Sequence, residues 1–144
     1  MNAAPATAAG KKTNRPQDEP LTPGIMTING GSSSIKFALF EAGGALRRFL
    51  QGEIKGVGTS QASFEAKSLK EGISFSRPVV APDHTSAVAI LMDWVQERIG
   101  LGALAAVGHR VVHGGPKYWE PHQITPEMID ELHQLSPFDP EHLP

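Results

Sequence analysis

The sequence predicts an α/β domain with a mixed sheet and flanking helices. Two β-prone runs on either side of a Gly/Ser-rich turn indicate a hairpin near the start. An amphipathic helical pattern over 85–99 and a separate apolar run over 104–112 indicate that helix and strand then alternate. The length of 144 residues allows one domain.

The hairpin combines strands at 25–28 and 35–40 with a turn at 29–34. In its second strand the apolar residues recur at every second position, as a strand with one buried face requires: they are Ile35, Phe37 and Leu39. Residues 49–55 predict a third strand, and 73–75 predict a short edge strand. The polar stretch between these two strands shows no clear pattern.

Two helices are predicted after these strands. The first spans 85–99 and is followed by Gly100, a natural residue just past a helix C-terminus. Its candidate N-caps are Asp83, Thr85 and Ser86. The second spans 125–135 and has a proline at its first helical position. The apolar run 104–112 between them predicts a strand covered on both faces.

Composition excludes several classes of function. Lys and Arg number 13 and Asp and Glu number 15, so the net charge of −2 offers no electrostatic footprint for nucleic acid or an anionic membrane. The chain has no cysteine, which excludes disulfides and thiolate metal sites. No apolar run approaches the eighteen or so residues of a membrane span, and the first residues lack the order of a secretory signal. A cytoplasmic protein is expected.

The two ends of the chain differ from its middle. Residues 1–24 are rich in Ala, Pro, Thr and charge and predict a disordered tail, with a true start near Met26 as the alternative. The domain is then expected over 25–144. Its last residues form a proline-punctuated loop with no closing element, which predicts that this is the first part of a longer protein.

The segment TINGGSSSIKF, residues 27–37, is the first candidate site. A turn with two glycines and three serines can direct consecutive backbone N–H groups and hydroxyls at an anion. Lys36 adds a compact positive charge, and the Asn29 amide can bind a phosphate oxygen or a metal-bound water. The spacing of a Walker A loop is absent. A flexible hairpin turn is the alternative interpretation.

The segment VGHRVVHGG, residues 107–115, is the second candidate site. Strand alternation places Arg110 and Val112 on one face, opposite to His109 and His113. An arginine in an apolar strand requires an anionic partner, which is either a bound carboxylate or phosphate or an acidic residue of the chain. Val112 can contact an alkyl group of the same ligand. For the two histidines, structural hydrogen bonding is favoured over a metal pair.

These two segments, in this order and followed by a helix ending in Leu-Ser-Pro, resemble the acetate/propionate (short-chain carboxylate) kinase family. The resemblance implies a fold of the actin/heat-shock-70/sugar-kinase (RNase H-like) type and a reversible, Mg²⁺-dependent transfer of the γ-phosphoryl group of ATP to a carboxylate. It matches Ser32, Ser34 and Lys36 to the ATP and phosphate site and Asn29 to the metal. It also matches Arg110 and Val112 to the carboxylate and its alkyl pocket.

The resemblance has two departures. Phe138 and Asp139 stand where the family commonly has Leu and His, which leaves open whether acetate, propionate or another acid is the substrate. The family's catalytic residues and adenosine site fall beyond residue 144, so no catalytic residue is expected within this chain, and the chain alone is predicted to be inactive. Members are typically homodimers. The alternatives are a truncated non-catalytic fragment, an anion-binding or interaction module, and another kinase of the same superfold.

Overall fold

The computed structural model describes residues 24–69, 72 and 74–138 of the chain. The predicted tail lies outside these residues except for Gly24. That residue is paired with Glu41 in the first strand.

The architecture is one mixed sheet with helices. Its strands in the described residues are β1 Gly24–Gly30, β2 Ser34–Glu41, β3 Arg47–Lys55, β4 Ser63–Ser68, β5 Ser74–Pro78 and β6 Leu104–His109. They lie in the order β5-β4-β3-β2-β1-β6, and neighbours are antiparallel except for the parallel pair of β1 and β6. The predicted hairpin is β1 and β2, and the predicted third strand is β3.

The strand β4 was missed by the sequence prediction. Its core face carries only Phe64 and Ala66, and polar residues occupy the other positions, so its apolar pattern is too short to identify. Pairing with β3 on one side and β5 on the other stabilises it in the sheet. The predicted edge strand is β5, which ends at Pro78 rather than before it.

The core lies between one face of the sheet and the helix α1, His84–Arg98. Asp83 is the N-cap and accepts a hydrogen bond of 2.7 Å from the Ser86 N–H group. Trp94 of this helix packs edge-to-face against Phe37 and Phe64, with ring centroids 5.8 and 5.3 Å apart. The described elements leave the opposite face of β1–β5 open.

The strand β6 is shorter and more exposed than predicted. It ends at His109, and five of its six residues are exposed. The apolar run was interpreted as a strand covered on both faces, which is wrong for the described residues. The reason is that β6 lies at the edge of the sheet, beyond β1, whereas α1 packs over the middle strands.

The second helix, α2, spans Pro126–Leu135 and is capped by Thr125. The connection from β6 is attached to it through Glu131, which accepts hydrogen bonds from Lys117 Nζ at 2.6 and 2.8 Å and from the Tyr118 hydroxyl at 2.7 Å. These bonds lower the pKa of Glu131 and raise the pKa of Tyr118, because they favour the carboxylate and the protonated phenol.

Candidate functional site

The parallel pairing of β1 and β6 brings two predicted site residues together. Asn29 lies near the end of β1 and Arg110 directly follows β6, and parallel strands end at the same side of a sheet. The Arg110 backbone N–H donates to the Ile28 carbonyl at 3.0 Å, which extends the ladder by one residue. Arg110 Nη1 donates a long hydrogen bond of 3.4 Å to Asn29 Oδ1.

Lys36 lies beside this pair on the open face of the sheet. It is directly opposite Asn29 in the register of β1 and β2, and opposite Glu53 in the register of β2 and β3. Its Nζ lies 3.9 Å from Glu53 Oε1, and its side chain is 62% exposed. An exposed ion pair of this length is weak, so the ammonium group is available to an incoming anion.

The loop between β1 and β2 is short and held at both ends. The Gly31 N–H donates to the Ser34 carbonyl at 2.7 Å, and the Ser33 carbonyl accepts from the Val57 N–H at 3.0 Å. The Gly31 carbonyl lies 2.7 Å from His84 Nε2. Within the described residues, the N–H groups of Ser32 and Ser33 have no backbone acceptor.

The glycines of this loop are not required by its backbone conformation. Neither Gly30 nor Gly31 has a positive φ. A Cβ at Gly30 would meet nothing within 4 Å, and one at Gly31 would make only ordinary contacts with Ser34. A turn that needs glycine for its own geometry is therefore not the explanation. Glycine at these positions leaves the backbone accessible to a ligand.

An open cleft of about 980 Å³ covers this face of the sheet. Its floor includes one row of side chains in register across five strands: Asn29, Lys36, Glu53, Glu65 and Ser76. Within the row one cationic group, Lys36, is followed by two adjacent acidic groups, and Glu65 forms an ion pair of 2.8 Å with Lys55. Arg110 and His109 line one end. Ser32 lies in the loop between β1 and β2, Ser34 is the first residue of β2, and neither is part of the cleft lining.

The structure does not bring Val112 into this cleft. Because β6 ends at His109, strand alternation does not extend to Val112, whose side chain is 42% exposed two residues beyond Arg110. His113 Nδ1 accepts a hydrogen bond of 3.2 Å from the Gly115 N–H. In the described part of the chain, no group of three or more His, Asp or Glu residues is arranged to hold a metal ion.

The segment that follows the Leu-Ser-Pro end of the second helix, with Phe138 and Asp139, lies mostly outside the described residues. A 3-10 turn, Ser136–Phe138, follows α2, and residues 139–144 are not described. Two residues of the site, His84 and Glu53, are not among those predicted from the sequence. The pairing of Glu53 with Lys36 depends on strand register, and the contact of His84 spans 53 positions, so no local pattern predicts either.

None of the helices in the described ranges is long and apolar enough to cross a membrane.

The sheet, its first hairpin and the flanking helices define part of an actin/heat-shock-70/sugar-kinase-like domain. Two solved structures share this fold. An acetate kinase from Porphyromonas gingivalis has a TM-score of 0.72 at 28% identity, and a propionate kinase from Francisella tularensis subsp. tularensis SCHU S4 has 0.70 at 25%. Each comparison covers 85% of this chain and 31% of the other. The fold class predicted from the sequence is confirmed.

A model of the Acetokinase family matches residues 24–144, so the chain belongs to that family. It is 36% identical over 126 residues to an acetate kinase of Anoxybacillus flavithermus, and 32% identical over 120 residues to a propionate kinase of Enterobacter sp.. These matches cover 85% and 83% of this chain. The chain spans 31% and 28% of the length of these two relatives.

Proposed function

We propose that this chain is the N-terminal portion, over 25–144, of a kinase that transfers the γ-phosphoryl group of ATP reversibly to acetate or a related short-chain carboxylate. The product is an acyl phosphate, such as acetyl phosphate. The proposal rests on the position of Arg110, whose side chain contacts Asn29. Asn29 is in turn directly opposite Lys36 on the neighbouring strand. Two cationic side chains thus stand next to a loop in which two N–H groups have no backbone acceptor among the described residues.

The chemistry needs charge neutralisation more than a base. A carboxylate is already deprotonated, so the protein must overcome the repulsion between two anions. The planar guanidinium of Arg110 suits a carboxylate, because it can donate two parallel hydrogen bonds. Lys36 and the N–H groups of Ser32 and Ser33 suit phosphate oxygens. Positioning of this kind is the main contribution a protein makes to phosphoryl transfer.

The residues present fit Mg²⁺ only in part. Mg²⁺ is commonly held by one or two carboxylates, substrate phosphates and retained waters. Asn29 can hold a metal-bound water. Of the nearby acidic groups, Glu65 is paired with Lys55 at 2.8 Å, whereas Glu53 forms only the weak pair with Lys36. When bound, the ion neutralises charge on the phosphates. Val112, which lies outside the cleft lining and two residues beyond Arg110, is proposed as the contact for the alkyl group of an acid held by Arg110. The protein is proposed to be cytoplasmic and homodimeric at full length.

The test is ligand binding by the 144-residue chain. We expect ATP and acetate each to bind weakly, with ATP binding weakened at least several-fold in Lys36→Ala and acetate binding weakened at least several-fold in Arg110→Ala. We expect no turnover of ATP and acetate above the Lys36→Ala control, because no catalytic residue is assigned within this chain. Turnover above that control would show that the chain is a complete enzyme.

The second candidate is a non-catalytic anion-binding module or a truncated fragment, and the module is favoured by the N–H groups of Ser32 and Ser33, which have no backbone acceptor among the described residues. The intact mass of the gene product from its own cells separates the two. A mass well above 15.4 kDa supports a lobe of a kinase, and a mass at 15.4 kDa supports the module or fragment.

A further inference from the structure

We infer that His84 is a positioning residue of the loop Gly31–Ser33, and that it sets the direction in which the Ser32 N–H group points. This inference rests on the proposed role of the loop in binding phosphate. The contact that carries it joins His84 Nε2 to the Gly31 carbonyl oxygen at 2.7 Å. A carbonyl only accepts hydrogen bonds, so Nε2 carries the proton and donates it.

The effect on the next N–H group follows from the planarity of the peptide bond. The carbonyl of Gly31 and the N–H of Ser32 belong to one trans peptide unit, in which they point in opposite directions. Fixing the carbonyl of Gly31 therefore fixes the Ser32 N–H. The N–H is directed away from α1, and within the described residues no backbone group accepts from it.

A second contact acts in the same way on the other side of the loop. The Val57 N–H holds the Ser33 carbonyl at 3.0 Å, and the adjacent Gly58 N–H donates to the Ala81 carbonyl at 2.8 Å. The segment after β3 thus connects the loop to the residues that precede α1. The His84 side chain adds a direct contact between the start of α1 and the loop. The loop is therefore held at two points, the Ser33 carbonyl and the Gly31 carbonyl.

The position of His84 makes the contact specific to its side chain. His84 is the first residue of α1 and is exposed, and Asp83 caps the helix independently through the Ser86 N–H. Removing the imidazole therefore leaves the cap in place. Thr85, the next residue of the same turn, is also exposed and offers a matched control.

The first measurement needs no ligand. Hydrogen exchange of the Gly31 amide, which is bonded to the Ser34 carbonyl, reports the opening of the loop. Loss of one hydrogen bond predicts roughly threefold to tenfold faster exchange in His84→Ala. His84→Gln, whose amide can donate to the same carbonyl, is expected to restore slow exchange, and Thr85→Ala to leave it unchanged. The Met26 amide, in the core strand β1, should exchange equally in all variants that fold.

Two results overturn the inference: unchanged Gly31 exchange in His84→Ala, or equal acceleration in Thr85→Ala. If His84→Ala fails to fold, His84→Phe keeps the ring and removes the donor, and the same two outcomes apply. ATP titration monitored at the Ser32 amide distinguishes failure of the inference about His84 from failure of the proposed function of the loop. If the wild type binds ATP, His84→Ala should bind several-fold more weakly, and equal affinity refutes the positioning role. If the wild type does not bind, the phosphate role fails, and the exchange result still decides the role of His84.

Discussion

The replacement of Arg110 by alanine tests the proposed substrate site most directly. Arg110 is exposed and is held by a backbone bond to Ile28 and a long side-chain bond to Asn29. A hydrogen bond to a charged group contributes about 1.5–3 kcal/mol, and solvent exposure favours the lower part of that range. About 1.5–2 kcal/mol corresponds to a loss of roughly 10- to 30-fold in kcat/KM for the carboxylate.

The assay is acyl phosphate formation by the full-length enzyme, at varied acetate with saturating ATP and then at varied ATP with saturating acetate. We expect the KM for acetate to rise while the KM for ATP stays constant. Arg110→Lys should recover only part of the loss, because an ammonium group cannot form the bidentate pair. Arg48, on β3, lines the same cleft three strands away and serves as the matched control. An unchanged KM for acetate in Arg110→Ala, or an equal rise in Arg48→Ala, would remove Arg110 from the substrate site.

Three further predictions concern the cleft, the core and the attachment of α2 to the connection from β6. Lys36→Ala should weaken ATP binding in a calorimetric titration at least several-fold, and Lys67→Ala, another cation of the cleft, should not. Gly52→Ala should lower the free energy of unfolding in urea by about 1–3 kcal/mol, because its Cβ would lie 2.5 Å from the Phe37 ring; wild-type stability would contradict this. The pKa of Glu131 is lowered, so its bonds stabilise the fold above its unfolded pKa, and that contribution is lost as pH falls through the folded pKa. Glu131→Gln should flatten this acid dependence in thermal melts, and an unchanged pH profile would refute it.

The position of Glu53 bears on how the cleft would receive nucleotide. Glu53 lies between Lys36 and Glu65 in the row that crosses the sheet, and it forms the ion pair with Lys36. An incoming phosphate would compete with this carboxylate for the ammonium group. Because the pair is exposed and 3.9 Å long, the competition costs little. The acidic row also limits how far a phosphate can enter the cleft beyond Lys36.

The first hairpin and α1 could be predicted because local pattern determines them. The alternation of Ile35, Phe37 and Leu39 identified the buried face of β2, and all three are buried. Of the three candidate N-caps only Asp83 caps the helix, and this depends on which residue adopts extended backbone geometry. Strand β4 was missed because two apolar residues are too few to form a recognisable period.

The candidate site likewise has a part that could be predicted from the sequence and a part that could not. The loop, Lys36 and Arg110 were identified from residue types that suit an anion, and the sequence determined by itself that these groups are present. Only the tertiary structure decided which of them meet. Asn29 and Arg110 are 81 positions apart, and they come together because β6 pairs in parallel with β1, so that both strands end at the same side of the sheet. The same long-range packing brought His84 to the loop and left Val112 outside the cleft. Local periodicity carries no information on contacts of this kind, because they depend on strand order and register.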